Sequence, residues 1–244
     1  MSNSSLDADT EGVILAIDNG TQSVRALIFD YKGNLLAKSK IALNAYRSDN
    51  PGWAEQDADY FWHELGQACQ QLWLQPYVID NKLRNKINAV TLTTQRGTVI
   101  NLDRYGEVLR PAILWLDQRL TGITDLKQLN VAWYWRWAFK LLRQSKTVHY
   151  FCNKAQANWL AKHQPDLWQK TDKFLLLSGF LTYQLTNEFK DSIGCQVGYL
   201  PFDYKKQQWT SKHDWKWQVL AIKKSMLPEL VKPGELLGTI TEQA

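Results

Sequence analysis

Apolar and polar positions divide this chain into short runs with distinct periods. "VILAI", Val13 to Ile17, is continuously apolar and reads as a buried strand. "VRALIF", Val24 to Phe29, and "LLAKSKIAL", Leu35 to Leu43, follow as two more, the turn between them marked by Gly33-Asn34. The chain therefore opens as an antiparallel meander of three strands. Phe61, Leu65, Ala68 and Leu72 then recur at helical spacing behind Asp57, a capping residue, and Pro76 helps to end that helix. "INAVTLTT", Ile87 to Thr94, and "GTVINLD", Gly97 to Asp103, read as strands; "NKAQANWLAKH" and "KFLLLSGFLTYQL" read as helices. "LPELVKPGELLGTIT" is punctuated by Pro and Gly and ends in strand-like residues. The pattern predicts an α/β fold, with a more helical part from about residue 120. Residues 1–12 are polar and acidic and read as a disordered N-terminus.

Composition narrows the classes. The chain has 244 residues, 45% hydrophobic and 22% charged, with a formal net charge of +5. That is ordinary globular composition, and the basic residues are too scattered for a nucleic-acid arm. Three cysteines lie far apart with no CxxC pair, which excludes a zinc or dithiol site; their odd number, with no secretory signal, fits a reducing cytoplasm. No apolar run approaches the length of a membrane span. Twelve tryptophans are unusual. Three of them fall in "WYWRWAFKLLRQSK", where Trp133, Trp137 and Leu141 repeat every four residues. That spacing favours a helical face packed on a neighbour over a membrane-surface helix.

The chemistry begins at "AIDNGTQSVRALIFD", Ala16 to Asp30. A strand ends in Asp18, a small hydroxyl-rich loop follows, and a second strand starts. Glycine at position 20 permits backbone conformations that other residues avoid, and successive amides there can converge on an anion. Thr21 and Ser23 add hydroxyls, Arg25 a charged donor, and Asp18 a carboxylate for Mg²⁺ beside phosphates. A plain hairpin with Asp18-Asn19-Gly20 as turn formers is the competing reading. No GxxxxGK[ST] or GxGxxG occurs.

These residues resemble the phosphate hairpin of the FGGY carbohydrate kinases, relatives of actin and hexokinase, whose pattern is roughly D-x-G-T-x-S-x-R; Asp18, Gly20, Thr21, Ser23 and Arg25 match it. Four further segments resemble that family in the same order: "PGWAEQDADYFW", "TTQRGTVINLDRYGEVLRPAILWLDQR", "LTYQLTNEFKDSIGCQVGYLPFD" with Asn187 at the usual glycine, and "LPELVKPGELLGTIT". The resemblance implies a ribonuclease-H-like N-terminal domain over residues 13–244. It implies a kinase that moves the γ-phosphoryl of MgATP to a sugar or polyol hydroxyl, with ATP and Mg²⁺ as cofactors. It implies a general base and an adenosine pocket beyond Ala244, in a C-terminal domain missing from this chain, so that these residues alone are inactive. A homodimer is left open, and no nucleic-acid or membrane partner is expected.

By the same resemblance Asp18, Gly20, Thr21, Gln22, Ser23 and Arg25 meet the phosphates, with Gln22 where Thr or Ser is common. Gln95, Arg96 and Gly97 stand where glycerol kinases carry N-Q-R-E-T, whose Arg and Glu bind glycerol hydroxyls, and xylulokinases G-Q-M-H-G. Arg96 matches that arginine; Gly97 replaces the acid and predicts room for a larger sugar. Trp115 matches a tryptophan that packs on substrate carbons, Asp117 and Arg119 shape the site, and Tyr150 or its neighbour His149 is a further substrate contact. Asp191 is expected to be structural. Two other readings compete. One is a non-catalytic sugar-binding or regulatory relative. The other is a chaperone-type or acyl-transfer ATPase, against which the W-x-D-x-R segment argues.

Overall fold

The structure is a computed structural model that describes residues 12–125 and 131–244; most of the predicted disordered N-terminus therefore lies outside the described residues. Strands β1 (Val13–Asn19), β2 (Ser23–Asp30) and β3 (Leu35–Ala42) form the antiparallel meander. After a two-residue strand, β4 (Glu55–Gln56), come helices α1 (Ala58–Trp73) and α2 (Pro76–Asp80) and strand β5 (Ile87–Thr94). β5 lies parallel to β1, giving the order β3-β2-β1-β5.

Alternation in β1 turns Val13, Leu15 and Ile17 inward, and α1 buries Phe61, Leu65, Ala68 and Leu72. The Ser39 hydroxyl donates to the carbonyl of Ala68 at 2.6 Å, tying β3 to that helix. Asp57 caps α1 as predicted, its Oδ1 accepting the Asp59 amide at 3.1 Å. Pro76 sits in the first turn of α2, where its missing N–H costs nothing.

The remaining elements are β6 (Val99–Leu102), β7 (Ala112–Ile113), α3 (Trp133–Leu141), α4 (Ser145–Lys154), α5 (Gln156–His163), α6 (Pro165–Lys170), β8 (Lys173–Leu176), α7 (Leu177–Thr186), β9 (Lys190–Ser192), β10 (Phe202–Asp203), β11 (Gln208–Trp209), α8 (Lys216–Val219) and β12 (Glu229–Val231). A second sheet runs β4-β7-β6-β8, all antiparallel, and β12 pairs with β9 in parallel.

The chain splits into two compact units. One holds Met1–Ala45 with Tyr60–Thr94, the other Tyr46–Asp59 with Gln95–Ala244. The divisions fall near residues 45, 59 and 94. Helices α3 to α8 all belong to the second unit. Its core joins Val99, Ile113, Phe139, Cys152, Trp159, Leu160 and Phe174, and six more tryptophans among the described residues pack against it. Trp209 and Trp217 keep their indole N–H groups satisfied by donating to the carbonyls of Pro228 (2.9 Å) and Thr210 (3.2 Å). Such rings cover a large core while their polar edges stay bonded.

Three expectations need correction. "KFLL" is strand β8, not the start of a helix. It pairs with β6 from Leu102↔Lys173 to Val99↔Leu176, and a four-residue buried run has no period to reveal which element it is. "GTIT" joins no sheet: the strand of that segment is β12, upstream, and Thr241 is held by its amide donating to Leu185 at 3.0 Å. Trp133, Trp137 and Leu141 do not pack: they are 73%, 64% and 66% exposed. The buried stripe of α3 is the other one, Trp135 and Phe139, stacked with ring centroids 5.8 Å apart. Asn187, at the family's usual glycine, takes a left-handed conformation (φ 59°) as the C-cap of α7, a place asparagine tolerates.

Candidate functional site

In the first unit the polar hairpin closes β1 onto β2. The register sets Asp18 across from Arg25, and Arg25 Nη1 donates to Asp18 Oδ2 at 2.6 Å. Asn19 is fully buried, its Nδ2 reaching the Phe61 carbonyl on α1 at 3.5 Å, so it anchors the hairpin. Thr21 and Gln22 are exposed at the tip; Ser23 is buried.

Gly20 differs from expectation. Its φ is not positive, and an added Cβ would meet only the Ser23 carbonyl oxygen at 3.4 Å, an ordinary contact. Its amide is also committed, donating to that same oxygen at 3.0 Å. The turn is thus closed internally at Gly20, and an anion would meet the Thr21–Gln22 corner rather than the Gly20 amide.

Among the described residues no cluster of three His, Cys, Asp or Glu is present. The Asp18 carboxylate is 35% exposed at the strand end. That donor set fits Mg²⁺, which keeps several waters and takes one or two carboxylates together with phosphate oxygens.

The second unit carries the other group of candidates. Gly97 lies just before β6 with φ +82°, and a Cβ there would come within 3.3 Å of the Trp115 Cβ. Gly97, Trp115, Gln156, Val197, Tyr199 and Leu200 line a cavity of about 100 Å³. The space beside Gly97 is therefore partly taken by Trp115, which remains 51% exposed and able to present a ring face. Arg96 is exposed, forms no ion pair among the described residues, and lies close enough to Cys195 for its charge to act on that thiol. Burial nonetheless pushes the thiol up to about 11. Gln95, beside Arg96, is half-buried.

Tyr150 reaches this cavity through Tyr199. Burial and the neighbouring Tyr150 phenol raise the Tyr199 phenol, whose ring also packs edge-on against Phe151 at 5.4 Å. Sequence reasoning missed Tyr199, Val197 and Gly198. An aromatic beside a glycine in "GCQVGYL" was the available signal, and Gly198 indeed turns with φ +73°.

Asp117 is a brace within the second unit. Its side chain is 1% exposed. Oδ2 accepts the Ala54 amide (2.7 Å) and Arg119 Nη2 (2.7 Å); Oδ1 accepts Arg119 Nε (2.8 Å) and the Arg119 amide (2.9 Å). Arg119 also reaches Glu55 at 2.7 Å, and Arg110 pairs with the same Glu55. The Arg119 guanidinium lies against both Trp53 (4.0 Å) and Trp159 (4.5 Å), whose rings also meet edge to face at 5.3 Å. This brace fixes the loop that follows Trp115. Asp191 is likewise internal: it accepts from Ser178 (2.9 Å), Gln196 (2.8 Å) and the Ser192 amide (2.8 Å), and burial pushes it up to about 6.

A larger hollow of about 730 Å³ lies between Thr121, Asn158, Lys162 and Gln218. It holds none of the candidate residues. Its inward polar atoms are engaged, Thr121 Oγ1 donating to the Asn153 carbonyl (3.1 Å) and Asn158 Nδ2 to that of Val219 (2.8 Å). Size alone does not make it the site.

The fold is that of sugar kinases of known structure. The xylulose kinase from Rhodospirillum rubrum matches with a TM-score of 0.73 at 19% identity, over 95% of this chain and 46% of that one. The chain belongs to the FGGY family of carbohydrate kinases, the model of that family's N-terminal domain matching residues 13–244. It is 26% identical over 226 residues to the xylulose kinase of Escherichia coli, covering 93% of this chain and 43% of that protein. It is 27% identical over 233 residues to the glycerol kinase of Thermococcus onnurineus, covering 92% and 44%. The chain thus spans less than half the length of these curated relatives. No helix among the described residues is long and apolar enough to cross a membrane.

Proposed function

We propose that the protein carrying this chain transfers the γ-phosphoryl group of ATP to a hydroxyl of a sugar or polyol. The observation that carries the reading is the hairpin Asp18–Arg25, a reachable carboxylate with hydroxyl neighbours, in a chain of a carbohydrate kinase family. Asp18 would hold Mg²⁺, which when bound neutralises phosphate charge. Phosphoryl transfer asks the protein mostly for positioning and charge compensation. Thr21, Gln22, Ser23 and Arg25 are assigned to the phosphates. Arg25 also restrains the Asp18 carboxylate. Gln95, Arg96, Gly97, Trp115 and Tyr150 are assigned to the sugar. The Trp115 face takes the apolar side of the carbon chain and Arg96 donates to hydroxyls. The base that accepts the hydroxyl proton is assigned outside these 244 residues, as is the adenosine pocket. Removing a general base typically costs 10²–10⁴-fold, so these residues by themselves are expected not to turn over.

The acceptor is assigned as a sugar or polyol of about five carbons rather than glycerol, because no acid stands beside Arg96 to select a short triol. A coupled ADP-release assay on the complete protein, with saturating MgATP and a panel of ketoses and polyols, tests both parts. Sugar-dependent release on the order of 1–100 s⁻¹ supports the activity, and none with any acceptor overturns it. A kcat/KM for glycerol above that of every pentose derivative rejects the size assignment alone.

A further inference from the structure

Helix α3 has two apolar faces, and the core uses only one. Phe139 is buried against Trp215 (5.4 Å between centroids) and Trp135 stacks on Phe139, so the helix is anchored through that side. The opposite side carries Trp133, Trp137 and Leu141, four residues apart and all about two-thirds or more exposed. Tyr134 widens the stripe and is half-exposed as well. Lys140 falls on the same face, seven residues after Trp133, and Lys140, Arg143 and Lys146 are all exposed. From Val131 to Pro165 the sequence contains no Asp or Glu.

We propose that this face of α3 docks on an anionic phospholipid surface. Tryptophan and tyrosine have an apolar body and a polar edge, which suits the boundary between headgroups and acyl chains. The interspersed lysines and arginines match the lipid charge, each contributing roughly a fivefold gain in partitioning near such a surface. A second copy of the chain meeting this face symmetrically would set these cations against their own kind. At nine residues the helix is far too short to span, so it lies in the interface. This takes up the membrane-surface helix that the sequence left as the alternative to a packed face.

The test is co-flotation of the protein with vesicles of phosphatidylglycerol and phosphatidylcholine in equal parts, against vesicles of phosphatidylcholine alone. Two variants accompany it, Trp133→Ala with Trp137→Ala, and Lys140→Glu with Arg143→Glu. All four positions are exposed, and circular dichroism checks that both variants fold. The expected result is binding to the anionic vesicles only, weakened by added salt as screening grows, and at least about tenfold weaker in each variant. Absence of flotation at low salt overturns the proposal, as does flotation that both variants leave unchanged. A concentration-dependent dimer that Trp137→Ala dissolves, without vesicle binding, assigns the face to a second copy and overturns it too.

Discussion

Replacing Arg119 with alanine should be among the most damaging single changes in the second unit. The guanidinium makes two bonds to Asp117 and one to Glu55, all between 2.7 and 2.8 Å, and lies against the rings of Trp53 and Trp159. The side chains of Arg119 and Asp117 are 2% and 1% exposed. Alanine would leave the Asp117 carboxylate buried without its counter-ion, while Glu55 keeps Arg110. Breaking one partner of a buried pair costs about 3–5 kcal/mol, and the lost stacking adds to it without being additive. With a urea slope of about 1–3 kcal/mol/M, the unfolding midpoint should fall by on the order of 1–3 M. Arg119→Lys should fall between, because an ammonium cannot reproduce the fork or the stack. The cause can be separated from lost volume. Arg119→Met combined with Asp117→Asn should be more stable than Arg119→Met alone, since the stranded charge is then gone. A loss below about 1 kcal/mol for Arg119→Ala, the scale of a surface ion pair, would refute the reasoning.

Three other outcomes follow from particular residues. Burial holds the Asp191 carboxyl at about 6, above its ordinary value, so the folded state binds that proton more tightly than the unfolded one. Its contribution to stability is then fully present at low pH and is lost as pH rises from about 4 to about 6, on the order of 3 kcal/mol. Thermal unfolding across that range should show the slope in the native protein and lose it in Asp191→Asn; equal slopes would contradict the assignment. Gly97→Ala forces a side chain into a left-handed backbone, at roughly 1–2 kcal/mol, and against Trp115, so the sugar KM should rise with kcat nearly unchanged. An unaltered KM would separate Gly97 from the sugar. Tyr199→Phe removes a hydroxyl from the cavity lined by Gly97 and Trp115 and should raise the sugar KM severalfold, which steady-state kinetics would read directly.

Much of the first unit was legible because its strands and helix obey their periods. Val13 to Ile17 is bounded by the turn formers Asp18-Asn19-Gly20 and reads as a strand, and Phe61, Leu65, Ala68 and Leu72 mark a helical face. The hairpin was legible as chemistry because a carboxylate, a glycine and hydroxyls stand together in sequence. What the hairpin does with its amides was not: the Gly20 N–H is consumed by Ser23, a choice made by turn geometry. The second unit was harder to read. β8 is four residues of buried apolar chain, and nothing local separates it from a helix. α3 offers two apolar stripes, Trp133-Trp137-Leu141 and Trp135-Phe139; only the position of Trp215, far along the chain, decides which is buried. Asp117 and Arg119 read as a motif without showing that Glu55, Trp53 and Trp159, from distant segments, close around them. Tyr199 escaped notice because its link to Gly97 and Trp115 is purely tertiary.

The central claim assigns the phosphates to the hairpin and the sugar to the surface around Trp115. Steady-state kinetics on two variants of the complete protein, Asp18→Asn and Trp115→Ala, test it most directly. Asp18→Asn should lower kcat by orders of magnitude while the sugar KM stays close to native, because charge compensation matters most in the transition state. Trp115→Ala should raise the sugar KM at least about tenfold with a smaller effect on kcat. Near-native kcat in Asp18→Asn, or an unchanged sugar KM in Trp115→Ala, would contradict it.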